Sequence, residues 1–170
     1  MAAITRLINL YFSQRLREIE RFRRHPAEVQ DEQLRYLLEN GRKTEFGRNA
    51  GMDTITTGEQ FARHIPIRDY EQLSPFIDRM RRGEANVLWP ERAGWFAKSS
   101  GTTGSKSKFI PVTTAGLRKA HMRGTKDIMA FYCHLFPDTH VVNGKMLTLG
   151  GSNHNEREGD RMHSGDHSPI

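Results

Sequence analysis

Ser99-Ser-Gly-Thr-Thr-Gly-Ser-Lys-Ser-Lys108 stands between two short runs, Gly94-Trp-Phe-Ala97 and Phe109-Ile-Pro-Val112. Both flanking runs are aromatic or β-branched and bounded by turn-forming residues, so the arrangement predicts a strand, a flexible loop and a second strand. The loop supplies what a polyphosphate needs. Its glycines let the backbone approach closely and turn N–H groups inward, its hydroxyls donate to phosphate oxygens, and its lysines neutralise charge. It is not a Walker A loop: after Gly101, GxxxxGK[ST] requires glycine at a position that holds Lys106. Composition alone also allows an ordinary hairpin loop of small polar residues. The unbroken Ser-Ser-Gly-Thr-Thr-Gly order, and a lysine immediately before an Ile-Pro exit, favour phosphate binding.

Upstream, Ile4, Leu7, Ile8, Tyr11, Phe12, Leu16, Ile19 and Phe22 recur at spacings of three and four, the stripe of an amphipathic helix. That helix should stop near His25-Pro26, because proline pushes the preceding residue out of the helical region. A second helix is predicted from Pro26 to about Asn40, with Val29, Leu34, Leu37 and Leu38 facing inward and Gly41 ending it. Glycines and Pro66 then punctuate short segments, and Thr56 or Thr57 is placed to cap a short helix containing Phe61. Ile67 to Arg82 reads as another amphipathic stretch, interrupted by Pro75, and 86–90 as a short extended piece.

Downstream, Thr113 or Thr114 is expected to cap a long helix whose inward face holds Leu117, Ala120, His121, Gly124, Ile128, Phe131, Tyr132 and Leu135. Lys145 to Leu149 is a candidate buried strand, and residues 152–170 are expected to be a loop-like tail. The fold class is therefore α/β: helices, then a strand-loop-strand nucleotide element, then a long helix and part of an incomplete sheet. One partial domain is expected over 1–170. Within it, 1–42 is a helical N-terminal segment and 95–112 the phosphate-binding element.

The chain has 170 residues, 36% of them apolar and 27% charged, which is enough to bury a core and too rich in large apolar side chains for a disordered chain. No run approaches the roughly 18 consecutive apolar residues of a membrane span. Lys and Arg number 26 against 20 Asp and Glu, giving +6, which permits attraction to anions without choosing among them. The single cysteine, Cys133, has no internal disulfide partner, and Asn-x-Ser/Thr is absent, so a cytoplasmic setting is the default.

The run from Phe96 to Thr113, FAKSSGTTGSKSKFIPVT, resembles the ATP-binding first motif of the auxin-responsive-promoter (Gretchen Hagen) family of acyl acid amido synthetases, a branch of the acyl-adenylate-forming superfamily. Thr44-Glu-Phe-Gly47, Ile65-Pro-Ile-Arg-Asp-Tyr-Glu71 and Gly83-Glu-Ala-Asn-Val-Leu-Trp-Pro90 resemble stretches upstream of that motif, and Gly144 to Ser152 resembles the strand after it. The resemblance covers nearly the whole chain in the right order. It implies an enzyme that activates a small carboxylic acid with ATP and Mg2+, releases pyrophosphate, and joins the acyl group to an amine such as an amino acid. By position, Ser99, Ser100, Gly101, Thr102, Thr103, Gly104 and Ser105 are the implied phosphate cradle and Lys108 the implied cationic contact, with Lys106 a second candidate. The family's later ribose-holding motif and smaller C-terminal domain have no counterpart here, which identifies the chain as an N-terminal fragment, inactive alone. Gly165 to Ile170 resembles a family segment in which apolar residues stand where this chain has His167 and Pro169.

Other residues read more plainly. His163 and His167 are four apart with His154, Glu156, Asp160 and Asp166 near, but a glycine-rich setting offers no helix to align them, and no metal ligand is assigned. His121 reads as a hydrogen-bonded core or pocket-lining residue and Cys133 as a small buried one. Two competing functions are a non-catalytic nucleotide-binding module and a basic surface-binding protein using the first helix. Neither explains the order of the matched segments. Small-molecule partners are expected, with no nucleic acid and no membrane.

Overall fold

Pro26 divides the helical N-terminus as expected. In the computed structural model α1 spans Ala2–Arg24 and α2 spans Pro26–Gly41. The structure describes residues 2–99, 107–139, 141, 145, 147, 156–157 and 163–166. It divides into two compact units, residues 1–30 with 115–148 and residues 31–114 with 149–170.

In the first unit α1 packs on α7 (Met122–Leu135), which continues a helical run begun by α6 (Thr114–Gly116) and a π-turn over Leu117–His121. Ala130 and Cys133 are buried. The face expected to turn inward does not: Ile128 is 70% and Leu135 67% exposed, and Phe131, Tyr132 and His121 are exposed too. The expectation assumed uninterrupted α-helical phase. The π-turn closes an i to i+5 bond, with the Met122 N–H donating to the Leu117 carbonyl, and this rotates everything after it relative to what precedes it.

The second unit begins where α2 buries Leu38, while Leu37, expected to face inward, is 48% exposed. Three short helices follow: α3 (Glu45–Asn49), α4 (Gly58–His64) and α5 (Tyr70–Arg81). Thr57 caps α4 and Asp69 caps α5, each in a reciprocal box with a glutamine, Gln60 and Gln72. A cap of this kind contributes about 1 kcal/mol, enough to fix where such short helices start. The expected break at Pro75 is not seen. Its missing N–H would orphan the Glu71 carbonyl, and the Ser74 hydroxyl donates to that carbonyl instead at 2.9 Å.

Strands β1 (Trp95–Lys98) and β2 (Phe109–Val112) form where the sequence places them. Two further strands, β3 (Glu156–Arg157) and β4 (His163–Asp166), come from the stretch expected to be loop-like. Among the described residues the sheet order is β2-β1-β4-β3, with β1 antiparallel to β2 and parallel to β4. Backbone pairing along an open edge needs no apolar period in the added strand, so periodicity gave no sign of it. Since β2 and β4 fill both edges of β1, no place beside it is left for the strand expected at 145–149. Lys145 and Leu147 are unpaired in the sheet and Leu147 is 89% exposed. The result is a helix-rich α/β arrangement around a small, incomplete sheet. No helix among the described residues is long and apolar enough to cross a membrane.

Candidate functional site

The hairpin of β1 and β2 pairs Trp95 with Val112, Phe96 with Pro111, Ala97 with Ile110 and Lys98 with Phe109. Beyond that last pair the two ends of the loop are tied by Ser99. Its N–H donates to the Lys108 carbonyl at 2.9 Å, and its Oγ accepts from the Lys108 N–H at 3.1 Å. A serine hydroxyl has one donor and two acceptor sites, so this bond leaves the Ser99 O–H available to donate. The structure thus brings together the first and last residues of the proposed cradle, Ser99 and Lys108. Ser100, Gly101, Thr102, Thr103, Gly104, Ser105 and Lys106 lie outside the described residues.

The hairpin is held from below by a dense apolar cluster. Phe96, Val87 and Met80 are at most 1% exposed, and Ile77 and Ala93 are buried with them. Tyr70, Leu73, Phe76, Leu88 and Phe109 pack around this centre. Tyr70 carries a second attachment, which the sequence reading missed. Its hydroxyl accepts a hydrogen bond from the Phe109 N–H at 2.9 Å, and the Lys108 ammonium lies 5.3 Å from its ring centroid. At the other end of α5 the Arg81 guanidinium stacks 3.9 Å from the Phe109 ring centroid. One helix therefore grips the first residue of β2 from both ends. Tyr70 appeared in the sequence only as an apolar position, because nothing local distinguishes a tyrosine that packs from one that also accepts a backbone hydrogen bond.

The stretches upstream of the loop serve this platform. Thr44 is fully buried, donating to the Gly41 carbonyl at 2.7 Å and accepting from the Gly47 N–H at 2.9 Å as the cap of α3. A Cβ at Gly47 would stand 2.0 Å from the Gly41 carbonyl oxygen, so only glycine fits this spacing of Thr44 and Gly47. The segment 86–90 is a bend and not a strand, with Asn86 at φ 61°. Its Asn86 and Val87 carbonyls accept from the Glu45 and Phe46 N–H groups at 2.7 and 3.1 Å, which satisfies the first amides of α3. Arg79 of α5 then clamps Glu45 in a bidentate pair at 2.6 and 2.7 Å and also pairs with Glu84. Those bonds hold the Glu45 and Glu84 carboxyls below the usual carboxylate range.

Chemically, the arrangement offers a hydroxyl and an ammonium at the mouth of a loop fixed by a rigid base, which suits an anionic group. Among the described residues no three His, Cys, Asp or Glu side chains gather as a metal site. The metal reading weighed for the tail falls on side chains outside the described set.

Residues 15–166 match the family model described as the GH3 family N-terminal domain. The chain is 35% identical over 133 residues to a jasmonoyl–L-amino acid synthetase, GH3.3, of Oryza sativa subsp. japonica, covering 78% of this chain and 28% of that protein. It is 31% identical over 142 residues to a probable indole-3-acetic acid-amido synthetase, GH3.12, of the same organism, covering 82% and 22%. Among solved structures, the GH3.15 acyl acid amido synthetase superposes with a TM-score of 0.75 at 21% identity, covering 91% of this chain and 27% of that one. A form of AtGH3.15 in complex with 2,4-DB gives 0.64 at 21% identity, covering 81% and 24%. The chain thus spans 22–28% of the length of these proteins.

Proposed function

Because the chain belongs to the GH3 family, matching the model of its N-terminal domain over residues 15–166, we propose that it is the N-terminal part of an ATP-dependent acyl acid amido synthetase. Such an enzyme adenylates a small carboxylic acid and passes the acyl group to an amine or amino acid. The observation that carries the reading is the Ser99–Lys108 closure: the residues aligned with the family's phosphate loop begin and end a hairpin anchored on a buried core.

Ser99 to Ser105 hold the phosphates in this reading, Lys108 supplies the cationic contact, and Lys106 is the second lysine in reach of the same loop. The difficulty of the reaction is electrostatic, since a carboxylate must approach a polyanion. Loop N–H groups and hydroxyls fixed before the reaction offset that repulsion without reorganising. Lys108 adds a full charge, and the Tyr70 ring beneath it limits where the ammonium can move. When bound, ATP supplies the α-phosphate to which the carboxylate oxygen bonds as pyrophosphate leaves, and Mg2+ neutralises phosphate charge. Mg2+ is commonly held by substrate phosphates with only one or two protein carboxylates, so it needs no cage in this chain.

A second part of the proposal is that the 170 residues alone do not turn over. They span about a quarter of the matched proteins, and positioning and water exclusion depend on the enclosure of the whole site. The assay is carboxylate-dependent pyrophosphate release by this chain alone and by this chain completed with the remaining length of a matched relative. Release is expected only from the completed protein, and Lys108→Ala should reduce it. A charge-assisted contact of about 1.5–3 kcal/mol corresponds to roughly 10- to 150-fold. Release that is unchanged when Lys106→Ala and Lys108→Ala are combined removes the lysines from the site.

A further inference from the structure

Between α1 and the helical run through the π-turn and α7, the first unit holds a groove of about 300 Å3, whose charged lining is Arg15, Glu18, Arg118, Lys119, Arg123 and Lys126. We propose that this groove is a second anion site, built for a compact ligand carrying several phosphate groups. It shares no residue with the Ser99–Lys108 loop.

Charge is the first ground. Five of those six side chains are cations, and the one further carboxylate bonded to them is Asp127, so the formal excess is three positive charges. A monocarboxylate cannot balance such an excess, whereas a polyphosphate can. Preorganisation is the second. Arg15 is held by Asp127 at 3.0 Å and by Glu18, while Arg123 bonds the same Glu18 at 2.8 Å. Glu18 is thus shared between two guanidiniums and fixes both before any ligand arrives. Lys126 lies over the Tyr11 ring at 5.6 Å, which fixes a third cation at the wall.

The backbone supplies a third ground. In an unbroken α-helix, residues five apart stand about 140° around the axis from each other. Arg118 and Arg123 are five apart, and the π-turn over Leu117–His121 lies between their backbones. Its i to i+5 bonding brings positions five apart nearly into line, so Arg118 joins the face that Lys119, Arg123 and Lys126 share by α-helical spacing. Single π-turns occur most often at functional sites, and this one exposes apolar residues that a regular helix would have turned inward. Size selects the ligand: a volume at the low end for small-molecule pockets excludes a nucleic-acid strand, and a concave wall does not fit a flat lipid surface.

The test is titration calorimetry with inorganic tripolyphosphate on the 170-residue chain carrying Lys106→Ala and Lys108→Ala, which silences the loop lysines. One saturable site is expected. Arg118→Gln with Lys119→Gln should weaken it by about tenfold or more, while Arg118→Lys should stay within about threefold of the parent. Circular dichroism checks that helix content is retained. If the double variant loses helix, Arg118→Gln alone takes its place, with at least threefold weakening expected. No saturable binding in the loop-silenced chain overturns the proposal, as does an affinity unmoved by these substitutions. Binding to phosphatidylserine vesicles without binding of tripolyphosphate also overturns it, in favour of a membrane surface. Since the loop lysines are absent throughout, failure here leaves the adenylation reading untouched.

Discussion

Replacing Tyr70 by phenylalanine isolates one atom of the hairpin's anchorage. The ring stays, and with it the packing on the Ile77, Met80 and Phe96 core and the contact with the Lys108 ammonium. What goes is the hydroxyl that accepts from the Phe109 N–H at 2.9 Å. Phe109 is half-buried, so its N–H is left without its acceptor where water reaches it poorly. A partly buried backbone donor without a partner costs about 1–3 kcal/mol. At about 1.4 kcal/mol per factor of ten, local opening at the start of β2 should become roughly 5- to 150-fold easier. Amide hydrogen exchange reads this directly: the Phe109 amide should exchange faster by that factor in Tyr70→Phe, while the amides of α4 keep their rates. Exchange at Phe109 within twofold of the parent would refute the claim that α5 anchors the loop through this bond. An acceleration spread evenly over the second unit would refute it too, by placing the effect on global stability.

Gly47→Ala should destabilise the second unit by about 3 kcal/mol or more, because the new Cβ meets the backbone of Gly41 at 2.0 Å and backbone cannot rotate away; urea unfolding followed by tryptophan fluorescence measures it. Phe96→Ala, at the fully buried centre of the core, should cost about 3–5 kcal/mol in the same assay. Arg123, and after it Arg15, hold the Glu18 carboxyl below its ordinary value of 4.5, so its contribution to packing of α1 on α7 is complete above that pH. It should fade as pH falls from there through the lowered value, and Glu18→Gln should remove that part of the acid transition in a circular-dichroism titration.

How much of this was legible in the sequence follows from the range of the forces involved. The helix starts were legible because their determinants are local: Pro26 at the first turn, and Thr57 and Asp69 as caps with a glutamine three residues on. The hairpin was legible because strand-forming runs bracket a run of small residues. The inward face of the last helix was not, since one π-turn changes the phase and no residue in Leu117–His121 announces it. Strands β3 and β4 were missed because pairing to an open edge depends on which other segments compete for that edge. Of the site, Ser99 and Lys108 were placed by motif and meet across the mouth of the hairpin. Tyr70, 39 residues away along the chain from its partner Phe109, had no local signal.

The account rests on the Ser99–Lys108 loop being the place where ATP phosphates bind. The most direct measurement is amide hydrogen exchange of the 170-residue chain with and without millimolar ATP and Mg2+, resolved by peptide. Protection is expected in peptides covering 99–108, and it should be lost when Lys106→Ala and Lys108→Ala are combined. Protection by ATP that leaves 99–108 unchanged, or that survives the loss of both lysines, would contradict the assignment.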